Sequence, residues 1–144
     1  MKTFTQLTLA ILTVIITCSA NANEPHCFDS TKVMRVVDGD TIDLRVHLLP
    51  FSLLTDIRVR MAGINAWESR TTNAAEKIKG LAAKERLREL SVGDITLCLT
   101  KKDKYGRWLG ELFKGDVNIN QQLIIEGHAH SYDGGKRKKF TPLM

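Results

Sequence analysis

The chain has 144 residues, 43% of them hydrophobic, and carries 21 basic against 16 acidic side chains, a net charge of +5. That length suits one domain able to bury about two-thirds of its unfolded surface, and no repeat or linker divides it. The positive balance suits a polyanionic partner without requiring one.

The chain opens with a segment that reads as an address. Lys2 precedes an apolar run from Phe4 to Cys18, and Ala20-Asn21-Ala22 follows as a small-x-small cleavage site, the three-part pattern of a secretory signal peptide. The run is short for a membrane span of about 20 residues. The competing reading is a lipid anchor on Cys18, against which stands the bulky Thr17. Cleavage after Ala22 leaves a single domain of residues 23–144, secreted or periplasmic, with a net charge of +4 once Lys2 is gone. Two cysteines then remain, Cys27 and Cys98, and in an exported chain a single pair suggests one disulfide, two unpaired thiols being the alternative. Closing a loop of about 70 residues would stabilise the fold by a few kcal/mol.

Thr31 to Val37 reads as a first strand. It runs into Asp38-Gly39-Asp40, a turn in which Gly39 is expected to supply positive φ and Asp38 to bond the turn backbone. Thr41 to His47 alternates cleanly, with Ile42, Leu44 and Val46 on one face and Asp43, Arg45 and His47 on the other. Leu48 to Thr55 reads as a connection. Asp56 to Gly63 forms the third strand, with Ile57, Val59 and Met61 inward and Arg58 and Arg60 on the opposite, solvent face.

The chain leaves the sheet from Gly63 to Ser69. A helix follows, capped by Asn73 with Glu76 as the reciprocal partner; its apolar face is read as Ala74, Ile78, Leu81, Ala82, Leu87 and Leu90, and Gly93 marks its end. Ile95 to Thr100 is the fourth strand, with Ile95, Leu97 and Leu99 inward and Cys98 on the other face. A charged loop, Lys101 to Arg107, leads to a fifth strand from Trp108 to Phe113. Asn118 to Glu126 reads as a second helix with Ile119, Leu123 and Ile124 as its apolar side. Five short strands with a helix between the third and fourth predict an α+β fold, a small five-stranded barrel of the oligonucleotide/oligosaccharide-binding (OB) kind with two or three helices.

Three places hold polar groups that strand geometry does not require: Asp40 after the first turn; Arg60 with Asn65 and Glu68 just beyond its strand; and Arg107 at the end of Asp103-Lys104-Tyr105-Gly106. Hydrolysis of a phosphodiester needs these types. A carboxylate such as Glu68 can deprotonate a water. Two guanidiniums can meet the charge spread over the transition-state oxygens, and arginine stays protonated throughout. A hard cation held by oxygens, with Asp40, Asn65 and the Ala66 carbonyl as ligands, can polarise the phosphate. Taken singly, each has an ordinary explanation: a surface carboxylate for Glu68, an exposed Arg60–Asp43 ion pair, a solvated Arg107.

Their joint order resembles the staphylococcal nuclease family. The matching stretches are Val37-Asp38-Gly39-Asp40-Thr41, then Arg58 through Glu68, then Asp103-Lys104-Tyr105-Gly106-Arg107, with a weaker match from Asn120 through Gly127; together they span about residues 33 to 132. The resemblance implies an OB-fold barrel and calcium-dependent cleavage of DNA and RNA at the P–O5′ bond, leaving 3′-phosphate ends. Carried over by position, Asp40 matches a metal-binding aspartate, Arg60 and Arg107 the two catalytic arginines, and Glu68 the glutamate assigned as general base. Tyr105 falls where a tyrosine helps place the substrate phosphate, with Lys104 beside it.

The sequence departs from that pattern at Asn65, where a second metal-binding aspartate is usual, and at Trp67, where proline is usual. It also ends without a match to the family's last helix. Losing one ligand charge predicts weak calcium binding, on the order of 10⁻⁴ to 10⁻³ M. The basic tail, with Lys136 and Arg137, is read either as phosphate contacts or as a solvated end. The four histidines show no zinc spacing. The expected protein is a monomer without stable membrane association, its partner DNA and/or RNA. The competing reading is a catalytically weak barrel that holds single strands; a third, an envelope-anchored structural protein, rests on lipidation of Cys18.

Overall fold

The structure, a computed structural model, describes residues 24–50 and 52–141. The expected signal segment, with Cys18, lies outside the described residues. Among the described residues no helix is long and apolar enough to cross a membrane.

Five strands make the body: β1 (His26–Asp38), β2 (Thr41–Leu48), β3 (Leu53–Met61), β5 (Ile95–Lys102) and β6 (Trp108–Lys114). Between them lie β4 (Ile64–Ala66) and α1 (Ala74–Leu90), and after them β7 (Val117–Asn118), α2 (Ile119–Ile125) and β8 (Ala129–Ser131). The sheet order is β3-β2-β1-β5-β6-β7, and a parallel pairing of β3 with β6 closes the first five into a barrel. The long β1 serves both halves. Its C-terminal part pairs with β2 and its N-terminal part with β5, with breaks in register that let one strand bend between two neighbours.

The alternation in β2 is realised as written: Ile42, Leu44 and Val46 are buried with Val59, Met61, Ile95, Leu97 and Leu112 in the barrel core. Outside, the polar face of β2 makes a ladder. Asp43 accepts from Arg58 on β3 (2.6 Å) and from Arg35 on β1 (2.9 Å), and Arg45 pairs with Asp56. These two partners hold Asp43 below the ordinary carboxylate range, Arg58 chiefly, against a burial effect that would raise it. Asp43 thus bonds Arg58 and Arg35, and the ordinary alternative of an exposed Arg60–Asp43 pair gives way to a pair between Arg60 and Asp40.

Cys27 and Cys98 sit directly opposite each other on β1 and β5 and form a disulfide. The segment after Met61, expected to leave the sheet, makes β4, which pairs with β8 as a separate two-stranded ribbon. The barrel is therefore joined by three short strands that the five-strand reading did not include, because two- and three-residue segments carry no period.

Helix α1 differs most from expectation. Asn73 caps it, its Oδ1 accepting from Glu76 N at 3.1 Å, but the Asn73 N–H donates to Thr71 Oγ1 rather than to Glu76. The buried face is Gly80, Ala83 and Leu87, with Leu90 packed against the core, whereas Ile78 and Leu81 are 69% and 48% exposed. The helix approaches along its small residues. A Cβ on Gly80 would lie 2.6 Å from the Glu68 backbone, and one on Gly39 would lie 2.6 Å from Ala83 Cβ and 2.8 Å from Ala66 Cβ. Gly39 does not adopt positive φ as expected; it is needed for space. Helix α2 follows expectation, with Asn118 as its cap and Ile119 and Leu123 buried. The fully buried Asn120 bonds Leu112 N, Ala62 O and Gly110 O, fixing α2 to the closure of the barrel.

Candidate active site

The turn Asp38-Gly39-Asp40 ends β1 where β3 and β4 meet. Asp38 Oδ1 accepts from Gly39 N, shaping the turn, while the Asp40 carboxylate reaches over to β4. Asp40 Oδ2 accepts from Ala66 N at 2.9 Å, and Oδ1 accepts from Thr41 Oγ1 at 3.0 Å. The close contact of Gly39 with Ala66 and Ala83 thus brings the turn, β4 and α1 together at one point.

Arg60 is 4% exposed rather than on a solvent face. Alternation along β3 put it opposite the core, as it did Arg58, but at this end of the strand Asp40 and Asn65 enclose the outer face. Its guanidinium donates to Asp40 O (3.3 Å), Met61 O (3.2 Å) and Asn65 Oδ1 (3.0 Å), and lies 3.2 Å from Asp40 Oδ2. Burial pulls the Arg60 pKa down and the Asp40 carboxylate offsets part of that, as expected for a buried cation that keeps its charge through a partner.

Asn65 is turned to the same task. Facing a donor-only guanidinium, its Oδ1 must be the atom toward Arg60, so its Nδ2 donates to Ala66 O at 3.1 Å and lies 3.4 Å from His130 Nε2. Nε2 is therefore the acceptor, and His130 carries its proton on a buried Nδ1 that has no partner among the described residues. Burial, then Lys138, pushes the His130 pKa down. The ring also packs on Trp67, centroids 5.0 Å apart.

Arg107 is presented by a self-bonded loop. Asp103 accepts from the N–H groups of Tyr105 and Arg107 (2.9 Å each) and from Arg107 Nε (2.7 Å). Burial alone would raise Asp103, but these donors hold it below the ordinary range. The guanidinium also lies 5.5 Å from the Tyr105 ring centroid, and Tyr105 itself is 72% exposed.

These residues line two adjoining depressions. A pocket of about 240 Å³ takes Asp40, Ala66, Glu68, Arg70, Arg107 and Arg137 among its walls; a groove of about 520 Å³ takes Arg60, Lys104, Tyr105, Arg107 and Tyr132. Arg107 is common to both. Asp40, Glu68 and Arg107 are brought together as the sequence order suggested, with Arg60 beside them. Asn65 and Lys136 line neither. Arg70 and His130 were not singled out from sequence: one lies in an irregular turn, the other in a three-residue strand, and no spacing marks either.

The expected metal ligands can be tested against this arrangement. Asp40 lines the pocket, and its Oδ1 accepts only one bond, leaving lone-pair capacity; the Ala66 carbonyl is the second oxygen. The Asn65 oxygen is committed to Arg60, so the amide does not join the set. Among the described residues no group of three or more His, Cys, Asp or Glu is arranged to share an ion. One carboxylate and one carbonyl would suit a hard cation that keeps most of its water.

The family model described as staphylococcal nuclease homologue matches residues 58–142, the stretch from the first arginine of β3 through the tail. The chain belongs to that family. Membership makes it a nuclease, a phosphodiester hydrolase with nucleic acid as its substrate class. Among its relatives, an uncharacterized endonuclease of Escherichia coli O157:H7 is 29% identical over 115 residues, covering 78% of this chain and 67% of that protein. A micrococcal nuclease of Shigella flexneri is 33% identical over 111 residues, 70% of this chain and 57% of that protein. Endonuclease YhcR of Bacillus subtilis is 34% identical over 110 residues, 69% of this chain but 9% of its own length. The chain thus spans little more than half of the Shigella nuclease and a small part of YhcR.

Proposed function

We propose that the protein is an exported, monomeric, calcium-dependent nuclease that hydrolyses DNA and/or RNA without strong sequence preference, breaking the P–O5′ bond and leaving 3′-phosphate ends. The observation that carries this reading is the convergence of Asp40, Glu68 and Arg107 on one pocket, with the buried Arg60 held against Asp40 at its side. In this reading Glu68 takes a proton from the attacking water. Arg60 and Arg107 hold the non-bridging oxygens and gain strength as charge accumulates on them in the transition state. The fixed ties of Arg60 to two backbone carbonyls and of Arg107 to Asp103 mean that neither guanidinium has to be reorganised during reaction. Asp40 and the Ala66 carbonyl would hold calcium, which supplies polarisation of the phosphate when bound. Tyr105 and Lys104, exposed along the groove, would receive the neighbouring phosphate and sugar. Calcium affinity on the order of 10⁻⁴ to 10⁻³ M is expected from so few charged ligands; a calorimetric constant below micromolar would reject it.

A second reading is favoured by one observation, the use of the Asn65 amide on Arg60 in place of a ligand carboxylate: a barrel that binds single strands and cuts them slowly or not at all. Incubation of the protein with plasmid and with single-stranded DNA, in calcium and in chelator, separates the two. Cleavage that depends on calcium is expected, with Glu68→Gln and Arg107→Ala each about 10² to 10³ slower. Shifted but intact DNA at every calcium level would instead establish the binding module.

A further inference from the structure

After β8 the chain does not trail into solvent. Tyr132 N donates to Gly63 O at 2.9 Å and its hydroxyl donates to Gly135 O at 2.7 Å, with Gly134 at φ 97° making the bend. Arg137 donates from Nη1 to Glu68 Oε1, and three residues on, Phe140 packs edge-on against Trp67, centroids 5.1 Å apart, with Lys79 Nζ of α1 over its ring, 5.8 Å from the centroid. The segment is thus tied at both ends, and Arg137 lies between the ties. It lines the same pocket as Asp40 and Arg107.

We propose that residues 132–140 form a strap that delivers Arg137 as a third phosphate-binding guanidinium, parked on Glu68 until the nucleic acid enters. This rests on the nuclease reading above. The exchange is physically easy. The Arg137 and Glu68 side chains are 51% and 46% exposed, and ion pairs of that exposure are weak because water screens them. A phosphodiester oxygen offers the same guanidinium a charge-assisted bond in a pocket already lined by Arg107 and Arg70. When Arg137 moves to phosphate, Glu68 Oε1 is released to accept from water, so substrate binding and exposure of the base are one event. The Phe140–Trp67 contact keeps the strap seated while the side chain swings. Trp67, where proline is usual, here serves as the anchor.

The test uses full-length mature protein and a labelled single-stranded oligonucleotide, with binding followed in chelator and cleavage in calcium. Arg137→Ala is expected to raise KM and the oligonucleotide Kd roughly tenfold, the scale of one charged hydrogen bond, with kcat affected less. It should also lower the salt slope of binding by about 0.7, the value for one contact to a single strand. Arg137→Lys should restore the salt slope and recover only part of KM, since the fork is lost. Phe140→Ala, which leaves Arg137 in place but unseats the strap, should move KM and Kd in the same direction by a smaller factor. Because both Trp67 and the strap meet at Phe140, oligonucleotide binding should leave the Trp67 emission little changed in the wild type and shift it in Phe140→Ala. Two outcomes overturn the proposal: KM and salt slope unchanged in Arg137→Ala, or a rise in kcat with KM unchanged, which would make Arg137 a plug on Glu68. If the wild type binds without cutting, the nuclease reading fails, while the Kd and salt slope of Arg137→Ala still decide the strap.

Discussion

Asn65 shows how one amide changes what a site can do. Its oxygen faces Arg60 and its nitrogen bridges toward Ala66 O, the backbone oxygen that a cation would share. With aspartate at this position that donor disappears, two acceptors confront each other, and a cation between them becomes favourable. Asn65→Asp is therefore expected to tighten calcium binding about tenfold or more, since affinity in oxygen sites follows ligand charge. Calorimetric titration of the two proteins at fixed ionic strength checks it, and equal constants would remove position 65 from the account of the metal. Much of this was legible. That Asp40, Glu68 and Arg107 share one pocket is legible in their order in the chain. The burial of Arg60 is not, because alternation assigns a residue to a face but says nothing about what later segment covers that face. The second carbonyl partners of Arg60 and the role of His130 were hidden for the same reason.

At the level of elements, α1 acts on the site through contact with the backbone of Glu68. A Cβ on Gly80 would run into the Glu68 carbonyl and Ser69 nitrogen, and one on Gly39 into Ala83, so the helix fixes the segment carrying Glu68 relative to the turn carrying Asp40. Gly80→Ala would gain intrinsic helix propensity but force its methyl against backbone that has no rotamer to yield. We expect a net destabilisation of about 1–3 kcal/mol and a loss of kcat, at temperatures well below unfolding, larger than Leu87→Ala produces at matched stability. Denaturant curves alongside single-turnover rates measure both; unchanged kcat in Gly80→Ala would show that the helix position is immaterial to Glu68. Periodicity favours Ile78 and Leu81 for this interface because apolar size dominates such a count. The real contact selects the smallest side chains, Gly80 and Ala83, which such a count weights least. Strands β2 and β5 were readable because their interior is filled by large apolar residues and nothing smaller competes.

At the level of the whole molecule, the two helices are joined at their far ends by Arg86 and Glu126, whose forked pair measures 2.5 and 2.7 Å. Arg86, then Gln122, hold Glu126 at a pKa of about 2, down from an ordinary 4.5. A carboxylate depressed on folding adds stability that is complete above the unfolded value and is lost as pH falls through the folded one, here from about 4.5 to about 2. Thermal midpoints measured across that window should fall less steeply in Glu126→Gln than in the wild type, and parallel slopes would contradict the assignment. The disulfide ties the start of β1 to β5. Cys27→Ser with Cys98→Ser is expected to reduce stability by about 2–5 kcal/mol, read from denaturant midpoints.

The closure of the barrel rests on few bonds. Strands β2 and β3 share eight residue pairs, but β3 and β6 meet only at Val59–Trp108, Arg60–Leu109 and Met61–Gly110. Arg60 lies in that seam and Arg107 precedes its first residue. The distance between the two guanidiniums is therefore a property of the hoop being shut, and it disappears when the hoop springs open, even if every other strand stays paired. Catalysis becomes a gauge of the weakest stave: mild denaturant should silence the enzyme before the bulk of its structure registers any change.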